Sequence, residues 1–134
     1  MKAARVGLMC QLALLLLALG IVGCGKSGPK RHAIKGKVTV DGQPLVYGLI
    51  YFNPDTSQGH KGPQGAGEIR DGHYSTNPDY GPVPGPHLVR ITGWNTTPEK
   101  GTLGPPLVSS YESHVDIPSS EGEFNFDIPP VKKK

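Results

Sequence analysis

Three observations predict an all-β sandwich of about seven antiparallel strands. Apolar residues recur at every second position in several short runs, the period of a half-buried strand. Turn signals separate those runs at intervals of about 8–12 residues, with Asp41-Gly42 and Asp71-Gly72 as the strongest. The folded part shows no 3.6-residue period. With 19 Gly and 14 Pro among 134 residues, composition alone would admit disorder. The alternating runs between the breakers argue for turns joining short strands instead.

The first element lies outside that fold. Lys2 and Arg5 form a positive start, and Leu12 to Val22 is an apolar run of 11 residues. That length suits a secretory leader and is short for a membrane span. Ile21-Val22-Gly23-Cys24 follows and resembles the bacterial lipobox. The resemblance implies cleavage before Cys24, lipid on its thiol and acylation of the new amino terminus, so residues 1–23 would be a lipoprotein signal peptide. Several acyl chains anchor stably where one does not. Cys10 would leave with the leader and Cys24 would be consumed by lipid, so the mature chain would have no disulfide. Gly25 after the cysteine, where Asp favours inner-membrane retention in enterobacterial lipoproteins, leans toward the outer membrane of a bacterial envelope.

Residues 24–33 hold the lipidated cysteine and a tether. Gly25 to His32 offers no apolar side chain to bury and reads as a flexible, solvated linker. Contact of Lys26, Lys30 and Arg31 with anionic head groups is the alternative.

The folded domain is expected over 34–128. Ile34, Gly36, Val38 and Val40 alternate with Lys35, Lys37 and Thr39, and Asp41-Gly42 turns the chain. Leu45 to Phe52 is a second run, with Ile50 and Phe52 on one face and Tyr51 on the other. Asn53 to Gly65 is a polar loop. Ala66 to Arg70 and His73 to Thr76 flank Asp71-Gly72. Pro78 to Pro86, with four prolines, is irregular. His87, Val89 and Ile91 share one face of the next strand; Leu88, Arg90, Thr92 and Trp94 share the other. Asn95 to Ser109 reads as a long loop, Tyr111 to Ile117 as a short strand, and Glu123 to Ile128 as the closing strand with Phe124, Phe126 and Ile128 inward. Residues 129–134 form a tail that ends in three lysines. The expected core is Ile34, Val38, Val40, Leu45, Ile50, Phe52, Ile69, Tyr74, Val89, Ile91, Phe124, Phe126 and Ile128. At roughly 1.5–3 kcal/mol per large buried side chain, this core offsets the ordering entropy by a small margin.

The ordered set of these runs resembles a known family. Gly36-Lys37-Val38-Thr39-Val40-Asp41-Gly42-Gln43-Pro44-Leu45 followed by Ile50-Tyr51-Phe52 is similar to the opening of a carboxypeptidase regulatory-like (transthyretin-like) domain. Ile69-Arg70-Asp71-Gly72-His73-Tyr74 looks like its D-G-x-Y segment. Gly85-Pro86-His87-Leu88-Val89-Arg90-Ile91 looks like its Pro/Gly loop entering a central strand, with His87 where an aromatic is usual. Tyr111 and Glu123-Phe124-Asn125-Phe126-Asp127 are similar to small envelope lipoproteins of planctomycete-type bacteria. The resemblance implies a Greek-key sandwich and no activity, since fold alone does not carry function.

The chemistry legible in the residues is sparse. Fourteen basic residues less Lys2 and Arg5 leave 12 against 11 acidic ones, no footprint for nucleic acid. His32, His60, His73, His87 and His114 show no metal-ligand spacing, so no metal or cofactor is expected. Asp41 and Asp71 read as turn residues, and Ser109 and Ser110 lack a nucleophile elbow. The Tyr-Arg-Gly-Ser ending of the hydroxyisourate hydrolases of this fold is replaced by Pro-Pro-Val-Lys-Lys-Lys. Trp94, with Arg90 and Thr92 beside it, is the candidate surface for a protein or glycan partner. Packing of Trp94 under the 95–109 loop is the favoured alternative. Tyr47, Tyr51 and Tyr80 read as partly exposed. The expectation is a non-enzymatic, lipid-anchored binding or structural module held at the membrane through Cys24. A His-based metal-binding or hydrolytic protein is the alternative, and oligomeric state is left open.

Overall fold

The computed structural model describes residues 28–99 and 101–131. The leader, the lipobox with Cys24, Lys26 and the terminal lysines Lys132 to Lys134 lie outside the described residues. The described chain is all-β apart from one 3-10 turn, Thr56–Gln58. Its strands are β1 (Ile34–Val40), β2 (Gln43–Pro44), β3 (Tyr47–Pro54), β4 (Gly65–Arg70), β5 (His73–Ser75), β6 (Gly85–Trp94), β7 (Val108–Ile117), β8 (Gly122–Glu123) and β9 (Phe126–Ile128).

Ladder hydrogen bonds join them into one sheet of order β2-β1-β5-β4-β3-β6-β7, with β8 and β9 on β1. The neighbours along this order are antiparallel, whereas β8 and β9 run parallel to β1. The expectation of two facing sheets therefore takes the form of one sheet that curls into a half-barrel around its inner face. The chain allows this because β1 serves two edges. Val38 N–H donates to Gly72 O (2.8 Å) and Val38 O accepts from Leu45 N–H (3.0 Å), which puts β5 and β2 on one edge. On the other edge Lys35 O accepts from Phe124 N–H (2.9 Å) and Asp41 N–H donates to Ile128 O (2.9 Å).

Both Asp-Gly turns form as the sequence predicts. Asp41 and Gly42 have φ of 52° and 72°, and Asp71 and Gly72 of 49° and 76°, the left-handed pair that a two-residue hairpin needs. Asp is among the side chains that tolerate this region.

The inner face holds every expected core residue. Ile34, Val38, Ile50, Phe52, Ile69, Val89 and Ile91 are fully buried, and Phe124 is partly buried against the cluster. The core is larger than expected, because Tyr47, Val83, Val108 and Ile117 are also buried. Tyr47 is a correction to its expected exposure: it is buried, its ring 5.9 Å from that of Trp94, its cross-strand partner on β6.

Apart from the short β2 and shifts of two residues that carry β3 to Pro54 and start β6 at Gly85, two strands differ from the reading of the sequence. β7 begins at Val108, inside the expected loop, because the ladder slips opposite Thr92: Ile91 pairs Tyr111 but Gly93 pairs Val108. The extra residue makes Ser109 and Ser110 both exposed, which breaks the alternation that would reveal the strand. The closing strand divides into β8 and β9 because Asn125 turns its side chain to β1, where Lys37 N–H donates to Asn125 Oδ1 (2.7 Å) in place of a backbone acceptor.

The expected tether is docked at its end. Arg31 Nη1 donates to Gly81 O (3.0 Å) and Gln64 O (3.1 Å), and His32 N–H to Pro82 O (3.1 Å). His32 is buried. Among the described residues no helix is long and apolar enough to cross a membrane.

Candidate functional site

The outer face of β6 presents Arg90, Thr92 and Trp94 at alternate positions, as strand geometry requires. Arg90 stands opposite Glu112 of β7, and its Nε and Nη2 both donate to Glu112 Oε1 (2.9 and 2.6 Å). Thr92 Oγ1 donates to Ser109 O at 3.3 Å, across the bulge. Trp94 Nε1 donates to Gly104 O (2.8 Å), which ties the 95–107 loop to the end of β6. Beneath it the buried Tyr47 ring sits between Trp94 and the Arg70 guanidinium, 5.6 Å from the ring centre. Burial, then the Glu68 carboxylate, pushes the Tyr47 phenol pKa up. Each of the three expected surface residues thus makes an internal hydrogen bond, and together they brace β6 against β7 and the loop.

The histidines distribute differently from what their spacing suggests. His73 is exposed, with Nδ1 3.0 Å from Asp71 O. His60 and His87 meet: their rings lie 5.2 Å apart, edge to face. They are 27 positions apart, and the pairing arises because β6 runs back beside β3, which brings His87 opposite Pro54. His87 is wholly buried rather than at a core edge. Its Nδ1 lies 2.9 Å from Gly85 O, and a carbonyl only accepts, so Nδ1 carries the proton. Burial pushes the His87 pKa down; the Gly85 carbonyl opposes this and neighbouring His60 adds to it. The Nε2 atoms of His60 and His87 are buried with no hydrogen-bond partner among the described residues.

A carboxylate stands near this pair. Asp55 precedes the 3-10 turn, and its carboxylate accepts from Ser57 Oγ (2.5 Å), Gln58 Nε2 (2.7 Å) and Ser57 N–H (3.0 Å). Those bonds, led by the Ser57 hydroxyl, lower its pKa to about 2. His114 of β7 approaches with Nδ1 3.3 Å from Asp55 Oδ2. Such a carboxylate is ionised at neutral pH, and the His87 ring beside it is wholly buried. The arrangement therefore supplies fixed polarity to the end of the half-barrel that receives the tether. Among the described residues no group of three or more His, Cys, Asp or Glu is placed to share a metal ion.

Two open clefts of about 390 Å³ each flank the barrel ends. One is lined by Lys35, Ser75, Glu121 and Glu123 near the tether. The other lies at the opposite end, against Leu45, Val46, Asn95, Leu107, Pro130 and Val131.

No family model and no curated protein matches this chain.

Sequence reasoning missed the His60–His87 contact and the hydrogen bond from Trp94 to Gly104. A residue pair brought together by a crossing strand leaves no periodic trace. The indole bond could be anticipated only as a donor that needs an acceptor wherever it is covered.

Proposed function

We propose that this chain is a non-enzymatic, lipid-anchored module of a bacterial cell envelope, of carboxypeptidase regulatory-like kind, that binds or scaffolds an envelope protein or glycan. The observation that carries it is the apolar leader ending in Ile21-Val22-Gly23-Cys24 directly before a short polar segment. Return of β6 to lie beside β3, in the order β6-β3-β4-β5, supports the Greek-key form of a β-sandwich.

The docked amino-terminal end supports a defined presentation. Arg31 and His32 bind the 81–82 segment, so only residues 25–30 separate the anchor from the fold. At about 3.3–3.6 Å per extended residue that segment spans at most roughly 20 Å. The end with the 55–64 and 76–84 loops then lies close to the bilayer, and Tyr80, 66% exposed, is positioned for the polar–apolar boundary that tyrosine favours. The opposite end, with the 95–107 loop and the Leu107 cleft, faces away and is the surface offered to a partner.

Metabolic labelling with palmitate in a bacterial host tests the anchor. Label enters the wild-type protein and not Cys24→Ser, which partitions to the soluble fraction. Equal labelling of the two proteins removes the reading.

A further inference from the structure

The sheet ends in its longest free edge. β7 pairs β6 on one side and, among the described residues, has no strand on the other. Its outward face carries Glu112, His114 and Asp116, and its inward face carries Tyr111, Ser113 and Val115, all only partly buried. Tyr111 and Val115 already touch the rim of the core. Unpaired backbone groups along such an edge are a template for another strand.

We propose that β7 pairs with β7 of a second copy of this chain, antiparallel about a two-fold axis through Ser113. Charge and paired length together select this partner and this register, since an axis nearer either end of β7 pairs fewer of its residues. An antiparallel two-fold at position 113 sets Glu112 opposite His114 of the second copy, twice by symmetry, and Tyr111 opposite Val115. Glu112 already holds Arg90, and His114 already holds Asp55, so each half of the seam becomes an alternating run: Arg90, Glu112, then the second copy's His114 and Asp55. Both central side chains keep room for this, with Glu112 46% and His114 69% exposed. Moving the axis to Glu112 opposes two glutamates. Moving it to His114 opposes Glu112 with Asp116 twice. A slip that breaks face matching would set inward residues against outward ones. The Ser113 register pairs the strand from Ser109 to Ile117 without a like-charge contact, and it covers the half-exposed Tyr111 and Val115.

A cysteine at the axis tests it in the full chain extracted in detergent. Across an antiparallel pair the Cα atoms at the axis lie about 4.5–5.5 Å apart, within disulfide reach. Under mild oxidant Ser113→Cys gives a reducible homodimer. Ser110→Cys, which this register places opposite Asp116, stays at the wild-type background. Adding Glu112→Lys to Ser113→Cys lowers the dimer yield about tenfold at pH 6, and adding His114→Glu as well restores it. Wild-type Trp94 fluorescence verifies the fold of each variant. Equal crosslinking at positions 110 and 113, background yield at 113, an unchanged yield with Glu112→Lys, or a crosslink to a different protein overturns the proposal.

Discussion

Burying His87 makes the fold sensitive to low pH. Its ring is wholly buried, its Nδ1 proton goes to Gly85 O, and its pKa is pushed down mainly by burial. An unfolded histidine titrates near 6.5, so below about pH 6.5 the unfolded chain binds a proton that the folded chain refuses. Stability contributed by neutral His87 is complete above that pH and declines as pH falls toward the lower folded value. His87→Phe removes the group and retains the ring. Urea unfolding from pH 7.5 to 5 is expected to show a smaller loss of stability in this variant than in wild type. An identical pH slope would show that His87 does not set it.

At the scale of the element, β6 and its loop act as one unit. Arg90, Thr92 and Trp94 alternate outward, and each finds a partner on β7 or on the loop. The Trp94 indole bond to Gly104 closes a loop that has few buried residues of its own. Trp94→Phe retains the ring over Tyr47 but removes the donor. It should lower stability by about 1 kcal/mol, the net worth of one such bond. Limited proteolysis should cut residues 95–107 faster than in wild type. Unchanged cleavage there would mean that the loop is held by other contacts.

At the scale of the whole molecule, the first and last strands close the domain together, and Gly36 is where they meet. A Cβ on Gly36 would stand 1.8 Å from Phe124 O, the same oxygen that accepts from Tyr74 Oη–H at 2.8 Å. The absence of a side chain lets β1, β5 and the β8–β9 segment approach at one point. Tyr74 is buried between Phe52 and Phe126, so this bond lies within the core seam. Burial pushes the Tyr74 pKa up, and Glu123 adds to it, so the phenol stays a donor at neutral pH. Gly36→Ala must separate the strands and is expected to cost about 3 kcal/mol, read from chemical unfolding. A cost under about 1 kcal/mol would show that the seam gives way easily.

Much of this molecule was determined by local sequence. Period-2 alternation named the inner residues of β1, β3, β6 and β9, and the two Asp-Gly pairs adopt the positive φ values of their turns. These are properties of adjacent residues, set by sterics and by the pleat. The expected indole packing likewise rested on one strand and the loop beside it. Only the tertiary structure decided the strand order, the parallel closure of β8 and β9 on β1, the slip that hides the start of β7 and the meeting of His60 with His87. Those depend on which distant segments close against one another, and that choice is made by packing across the whole core.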